Sequence, residues 1–106
     1  MSKRMIKRTI KVLEERGWTQ HIEEDNEGKM CLLGALNVAA TGEAEPRATL
    51  LTSEYNNTLI DIGNSVAPMD MRSEYLNDEA REQIAHWNDR KSRRKSDVIN
   101  KLKGLL

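Results

Sequence analysis

The chain has no phenylalanine, a single cysteine and two prolines, and it lacks any long hydrophobic run. One cysteine excludes an intramolecular disulfide and suits a reducing compartment. A membrane-spanning helix needs roughly 20 consecutive apolar residues, and no stretch of this sequence approaches that length. Residues 1–4 lead straight into a charged segment, without the apolar region of a signal peptide. We therefore expect a cytoplasmic protein that does not associate with membranes.

Large side chains are scarce, because the only aromatic residues are Trp18, Tyr55, Tyr75 and Trp87. Each of them therefore matters more than usual for packing. A length of 106 residues allows one modest hydrophobic core and not two. We expect residues 1–106 to form a single domain.

The net charge of zero conceals a separation of charge along the chain. Residues 1–16 carry six Lys or Arg side chains against two Glu, and residues 90–106 carry seven against one Asp. Residues 17–89 hold four basic and fourteen acidic side chains. One interpretation is that the basic ends fold back and neutralise the acidic middle, or simply stay solvated. The other is a basic surface for nucleic acid or for an acidic protein partner.

Residues 31–40 contain no charged side chain, although nearly one-third of the whole chain is charged. A helix that is apolar on all sides lies in the centre of a core, and Gly34 with Ala35 lets neighbouring segments approach closely. We therefore predict a central helix over about residues 30–40.

Amphipathic helices are predicted on both sides of this central helix from apolar residues at helical spacing. Their approximate bounds are 2–16, 46–66 with an interruption near Thr52 and Ser53, 74–88, and a last helix capped by Ser92 or Ser96. Residues 18–30 are predicted to form a loop, with one short β-hairpin near residues 20–30 as an alternative. The predicted fold class is all-α, a compact bundle of about five helices around the central one.

Three residues have side chains that could act in catalysis. Cys31 begins the central helix, where the helix dipole favours a thiolate, and His86 and Asp89 follow later. A buried and idle cysteine is the favoured interpretation, because free cysteines are among the most buried residues. A sulfur that faces an open pocket beside an imidazole would instead favour catalysis.

Metal binding is not predicted. Cys31, His21 and His86 are the only soft ligands, and no two of them have the close spacing of a zinc site. A calcium loop starting at Glu23 would need a bidentate Glu at position 34, where the chain has glycine.

Trp18 and Trp87 each stand next to polar residues and carry two interpretations. In the first, both indoles close the ends of the bundle, and Asn88 and Asp89 form hydrogen bonds with the backbone. In the second, the indoles flank an exposed binding surface. The basic segment of Arg90, Lys91, Arg93, Arg94 and Lys95 precedes the last helix and forms a candidate grip for the phosphates of nucleic acid.

Four short motifs stand out along the chain: Gly17-Trp18, Cys31-Leu32-Leu33-Gly34-Ala35-Leu36, Trp87-Asn88-Asp89 and Asp97-Val98-Ile99. In these motifs the sequence resembles a family of small bacterial and bacteriophage proteins of unknown function. The sequence departs from the family where Gln20-His21 replaces a frequent glycine and where Ser92-Arg93-Arg94 replaces Gly-Arg-Thr. The resemblance implies no established activity. It implies a phage setting, in which small proteins bind and block a host protein or sequester a small signalling ligand.

The sequence thus favours a non-enzymatic binding protein, an inhibitor or modulator of a host protein or host defence in the host cytoplasm. No cofactor is predicted, and a homo-oligomer is compatible with the sequence. A nucleic-acid-binding accessory protein is the alternative, and a cysteine hydrolase is a weaker one. The candidate binding residues are Trp18, Trp87, Asn88, Asp89, Arg90, Lys91, Arg93 and Arg94.

Overall fold

The computed structural model describes all of residues 1–106 and contains five α-helices. They are α1 (Lys3–Arg16), α2 (Leu32–Thr41), α3 (Ser53–Val66), α4 (Leu76–Asn88) and α5 (Lys95–Lys103), with a short 3₁₀ turn at Ala48–Leu50. This confirms the predicted all-α bundle. No helix is both long enough and apolar enough to cross a membrane.

Helix α1 follows the pattern read from the sequence. The Ser2 hydroxyl accepts a hydrogen bond from the backbone N–H of Met5, which caps the helix. Gly17 ends the helix with a φ of 93°, a conformation that side chains other than glycine's rarely adopt. The apolar stripe of α1 is buried against α2 and includes Ile6, Ile10 and Leu13.

Helix α2 is the central helix, as predicted, and every residue from Leu32 to Asn37 is buried. It starts two residues later than predicted, because Met30 is held in backbone bridges and Cys31 serves as the N-cap. Gly34 lies against the loop that precedes α2. A Cβ atom at this position would be 2.1 Å from the backbone oxygen of Glu23, so only glycine allows this approach.

The 18–30 segment does not form a β-hairpin. Trp18 pairs with Met30 in a parallel bridge and Glu24 pairs with the same residue in an antiparallel one, and neither bridge extends into a strand. The chain reverses direction between these two bridges, where His21 has a φ of 71°. A continuous two-stranded ladder cannot form when both partners converge on one residue.

The remaining helices follow their predicted bounds, including the predicted interruption before α3, and differ in the cap of α5. Residues 46–66 break into the 3₁₀ turn and α3, and the Thr52 hydroxyl caps α3 by accepting a hydrogen bond from the Tyr55 N–H. Helix α5 is capped by Arg94 and Asp97 and not by Ser92 or Ser96. The carboxylate of Asp97, the third residue of α5, accepts a hydrogen bond from the backbone N–H of Arg94 at 2.9 Å. This bond gives the N–H at the start of the helix an acceptor.

Candidate functional site

The polar side chain of Asn88, the last residue of α4, lies at the centre of the candidate site and has no solvent-exposed area. Its Oδ1 atom accepts hydrogen bonds from the Trp18 indole N–H at 2.7 Å and from the backbone N–H of Leu32 at 3.1 Å. Its Nδ2 atom donates to the Thr19 backbone oxygen and to Asp89 Oδ1. Asn88 thus joins α4, the 18–30 loop and the start of α2.

The residues beside Asn88 extend this connection. The Gln20 side-chain amide donates to the backbone oxygens of Asn88 and Arg90, at 3.0 and 2.8 Å. The His21 backbone N–H donates to Asp89 Oδ1 at 2.9 Å, and the imidazole Nδ1 lies 3.7 Å from Asp89 Oδ2. The loop is therefore bonded to the end of α4 by four consecutive residues, Trp18 to His21.

Trp87 makes its main contacts within the chain. The Arg93 guanidinium lies 3.9 Å from the centre of the indole ring, and Arg93 Nε donates to the Trp87 backbone oxygen at 2.8 Å. Lys101 Nζ lies 5.9 Å from the same ring. Two cation–π contacts hold this partly buried indole in place, and the hydrogen bond to the Trp87 backbone oxygen fixes Arg93 over the ring.

The Cys31 thiol is the N-cap of α2 and is only 7% exposed. Its sulfur accepts a hydrogen bond from the Gly34 N–H at 3.3 Å. Burial raises the pKa of the Cys31 thiol to about 11, and the hydrogen bond from Gly34 opposes that rise only in part. A thiol with this pKa is protonated at neutral pH, and the thiolate is the reactive form.

An imidazole does lie near Cys31, but it is not that of His86. A cavity of about 80 Å³ is lined by Cys31, His21 and Asp89 together, whereas His86 is exposed on α4 and does not line it. The predicted Cys31, His86 and Asp89 combination is therefore not assembled. No group of three or more His, Cys, Asp or Glu side chains is arranged to hold a metal ion.

Residues 2–104 match the model of a family of unknown function, DUF6197. The chain belongs to this family. No curated protein and no solved structure matches the chain. Membership in DUF6197 accounts for nearly the whole chain and assigns it no activity.

The candidate residues of this DUF6197 member divide into an internal group and an exposed group. Trp18, Asn88 and Asp89 are bonded to one another or to the 18–30 loop, and Asn88 reaches no solvent. Asn88 therefore positions other groups and cannot itself touch a partner. Trp87 and Arg93 are stacked on each other. Arg90, Lys91 and Arg94 are exposed, although Arg94 is paired with Asp97.

Gln20 and His21 belong to the site but are not among the predicted binding residues. The sequence marks both as departures from the family pattern directly after Trp18, and His21 also as a possible metal ligand. Nothing local connects them with residues 88–90, because the partners are about 70 positions apart in the sequence.

The charges of the two basic ends remain largely unpaired. Only two of the eight ion pairs join a basic end to the acidic middle, Met1 with Asp61 and Arg16 with Glu24. Eleven of the 17 Lys and Arg side chains have no ion-pair partner, and ten of these eleven lie in the ends. We call these ten the terminal cations: Lys3, Arg4, Lys7, Arg8, Arg90, Lys91, Arg93, Lys95, Lys101 and Lys103.

Proposed function

We propose that the protein is a non-catalytic binding protein whose partner is a protein with an acidic surface. In the phage setting implied by the resemblance, that partner is a host protein or a component of host defence, and binding in the host cytoplasm inhibits or modulates it. The observation that carries the proposal is the terminal cations. A fold that used its acidic middle only to neutralise its ends would pair these side chains. None of the ten has an ion-pair partner, and eight of them, all except Arg93 and Lys101, also make no contact with Trp87 and remain available for an external partner.

The positions of the terminal cations favour a partner surface. Lys3, Arg4, Lys7 and Arg8 are all exposed on the first two turns of α1. Helix α5 packs against α1, and the connector with Arg90 and Lys91 leads into α5. Clustered charge of one sign increases the rate at which a partner of opposite charge is captured and selects against partners of the same sign.

The geometry favours a protein partner over nucleic acid. A phosphate grip at the connector would use the start of α5, where the helix dipole attracts anions. The Asp97 carboxylate already occupies that position, and its hydrogen bonds with Arg94 lower its pKa. Asp97 is therefore negatively charged at neutral pH and repels a phosphate there. Arg93, the next cation of the connector, is stacked on Trp87.

The thiol supports binding over catalysis, because it is enclosed and protonated. The adjoining cavity of about 80 Å³ is roughly half the size of an engineered cavity of about 150 Å³ that holds one benzene molecule. It has no room for a peptide or nucleotide substrate.

Charge reversal tests the proposal. The wild type, Lys7→Glu/Arg8→Glu and Arg90→Glu/Lys91→Glu are immobilised and exposed to nuclease-treated bacterial lysate, and Arg47→Glu/Arg72→Glu serves as the control in the acidic middle. We expect the wild type and the control to retain the same acidic protein and both terminal variants to lose it. The retained protein is then purified, and its affinity for the wild type is expected to fall as salt screens the charges.

Two outcomes would contradict the proposal. Equal retention by the terminal variants and the control would remove the terminal cations from the binding surface. The capture is repeated with untreated lysate, and retention seen only in the untreated lysate would favour the nucleic-acid alternative instead.

A further inference from the structure

A second cavity is lined by residues of α2, α3, α4, the 44–51 segment and the 18–30 loop. Its volume is about 300 Å³, which is at the lower end of the range for small-molecule sites in proteins. A cavity of about 150 Å³ is enough for benzene, so this one has room for a ligand of roughly ten non-hydrogen atoms. We call it the Tyr55 cavity.

Two buried polar side chains line the Tyr55 cavity. Tyr55 is 1% exposed and its hydroxyl donates to Asn37 Oδ1 at 2.5 Å. Asn37, 6% exposed, donates from Nδ2 to the backbone oxygen of Ala44 at 2.8 Å. These bonds fix both side chains. Burial raises the pKa of Tyr55, and the Arg81 guanidinium opposes that rise through its contact with the phenolic oxygen, which leaves one lone pair to accept a hydrogen bond from a ligand. The cavity is thus pre-formed with an acceptor at a defined position.

Apolar groups supply the rest of the wall, from Leu33 of α2 and from Ala44, Pro46 and Leu51 of the following segment. A wall of this kind binds the hydrocarbon part of a ligand. The ligand should therefore have an apolar body of a few carbon atoms.

The charged groups that line the cavity determine which ligand charge is complementary to it. Glu23 and Glu45 line it, and neither carboxylate has an ion-pair partner. Arg81 also lines it, and its guanidinium contacts both Asp78, at 3.1 Å, and Tyr55. The lining thus holds two carboxylates and one guanidinium, so its net charge is negative and a cation is complementary to this site.

We propose that the Tyr55 cavity binds a small organic cation, an ammonium or guanidinium group on a short aliphatic stem. The cationic group pairs with the carboxylates of Glu23 and Glu45, and the stem lies along Leu33, Ala44 and Leu51. This site is separate from the terminal cations and does not depend on the partner proposed for them.

Calorimetric titration of the full chain tests the site with defined probes. The cations are 1,5-diaminopentane and pentylguanidinium, and 1-pentanol and pentanoate are matched neutral and anionic compounds. We expect saturable binding of one cation per chain and no binding of the other two. A short peptide with blocked ends and one lysine forms a second arm. Binding of the small cations alone would identify the ligand as a free metabolite, and binding of the peptide would identify it as a protein side chain.

Conservative variants locate the binding. Glu23→Gln and Glu45→Gln each keep the size of the side chain, and Glu23 makes its structural contact with Cys31 through its backbone oxygen, which the change leaves in place. Because a hydrogen bond to a charged group contributes more than a neutral one, we expect each variant to bind the cation roughly tenfold more weakly. Glu43→Gln, exposed and outside the cavity, should bind like the wild type.

Three results would overturn the proposal. They are no binding of either probe cation or of the peptide, equal affinity of the Gln variants and the wild type, and binding of 1-pentanol as tightly as of the amine. Thermal unfolding of each variant shows whether it is folded under the titration conditions.

Discussion

The indole N–H of Trp18 donates a 2.7 Å hydrogen bond to the side-chain oxygen of Asn88, a residue 70 positions later in the chain. The same oxygen accepts a hydrogen bond from the Leu32 backbone N–H, so a single buried amide is the acceptor for one donor of the loop and one donor at the start of the central helix. Asn88 therefore has a role in α2 similar to that of an N-cap, supplied from another helix. Its importance can be measured as folding stability.

Replacing this amide should strongly destabilise the protein. In Asn88→Ala the Trp18 and Leu32 N–H groups lose their acceptor, and each buried unsatisfied donor costs about 1–3 kcal/mol. We expect the free energy of unfolding to fall by about 3 kcal/mol in total, measured by urea denaturation. Asn100→Ala removes the same group from an exposed site on α5 and should change stability by less than about 0.5 kcal/mol. Equal losses in the two variants would refute the role of Asn88.

A methyl group at position 34 should be poorly tolerated. It would lie 2.1 Å from the Glu23 backbone oxygen, so the loop or the helix must move. We expect Gly34→Ala to lose about 3 kcal/mol or more, or to lack the helical circular dichroism signal of the wild type. Gly104→Ala is the control, because Gly104 has a helical φ of −64° and no contact closer than 3.4 Å. If both alanine variants were equally stable, the close approach at Gly34 would not matter.

The native thiol should react very slowly. A pKa raised from 9.0 to about 11 lowers the fraction of thiolate about 100-fold near neutral pH, and burial hinders access further. We expect an aromatic disulfide reagent to titrate Cys31 only after urea is added, and Cys31→Ala to give no signal in either condition. Rapid reaction of the folded protein would show an active thiol and would revive the catalytic hypothesis with His21 in place of His86.

The same thiol should make stability depend on pH in the alkaline range. The folded chain keeps the Cys31 proton up to a pKa of about 11, whereas the unfolded chain releases it near 9.0. The folded state thus binds more protons between these values, and stability falls as pH rises through them.

The full contribution amounts to about 3 kcal/mol as an upper value. Lys and Tyr groups titrate in the same range, so the measurement compares the wild type with Cys31→Ala from pH 8 to pH 11. We expect the wild type to lose more stability than the variant. Parallel curves would mean that the thiol has the same pKa in both states.

Local patterns in the sequence predicted the helices well. The positions of α1 and α2 follow from apolar spacing and from the uncharged run, and these signals depend on residues within a few turns of each other. The break before α3 was visible at Thr52 for the same reason. The cap of α5 is harder to predict from the sequence. Ser92, Ser96 and Asp97 are all suitable capping residues, and only the structure shows that Asp97 bonds both the backbone N–H and the guanidinium of Arg94.

The site was predicted only in part. The motif of Trp87, Asn88 and Asp89 was singled out, but its internal hydrogen bonds to Trp18, Gln20 and His21 span about 70 residues and leave no periodic trace. The catalytic hypothesis combines Cys31 with His86 and Asp89, which are close together in sequence. The backbone turn at His21, with its positive φ, brings the other imidazole there.

The unneutralised ends also affect how the molecule behaves in bulk solution. A chain with zero net charge and separated patches of both signs attracts its own copies when little electrolyte is present, since nothing repels them at long range. Added salt weakens that attraction, so solubility should rise with ionic strength. Cation- and anion-exchange resins should each retain such a protein, one through its termini and the other through its central segment.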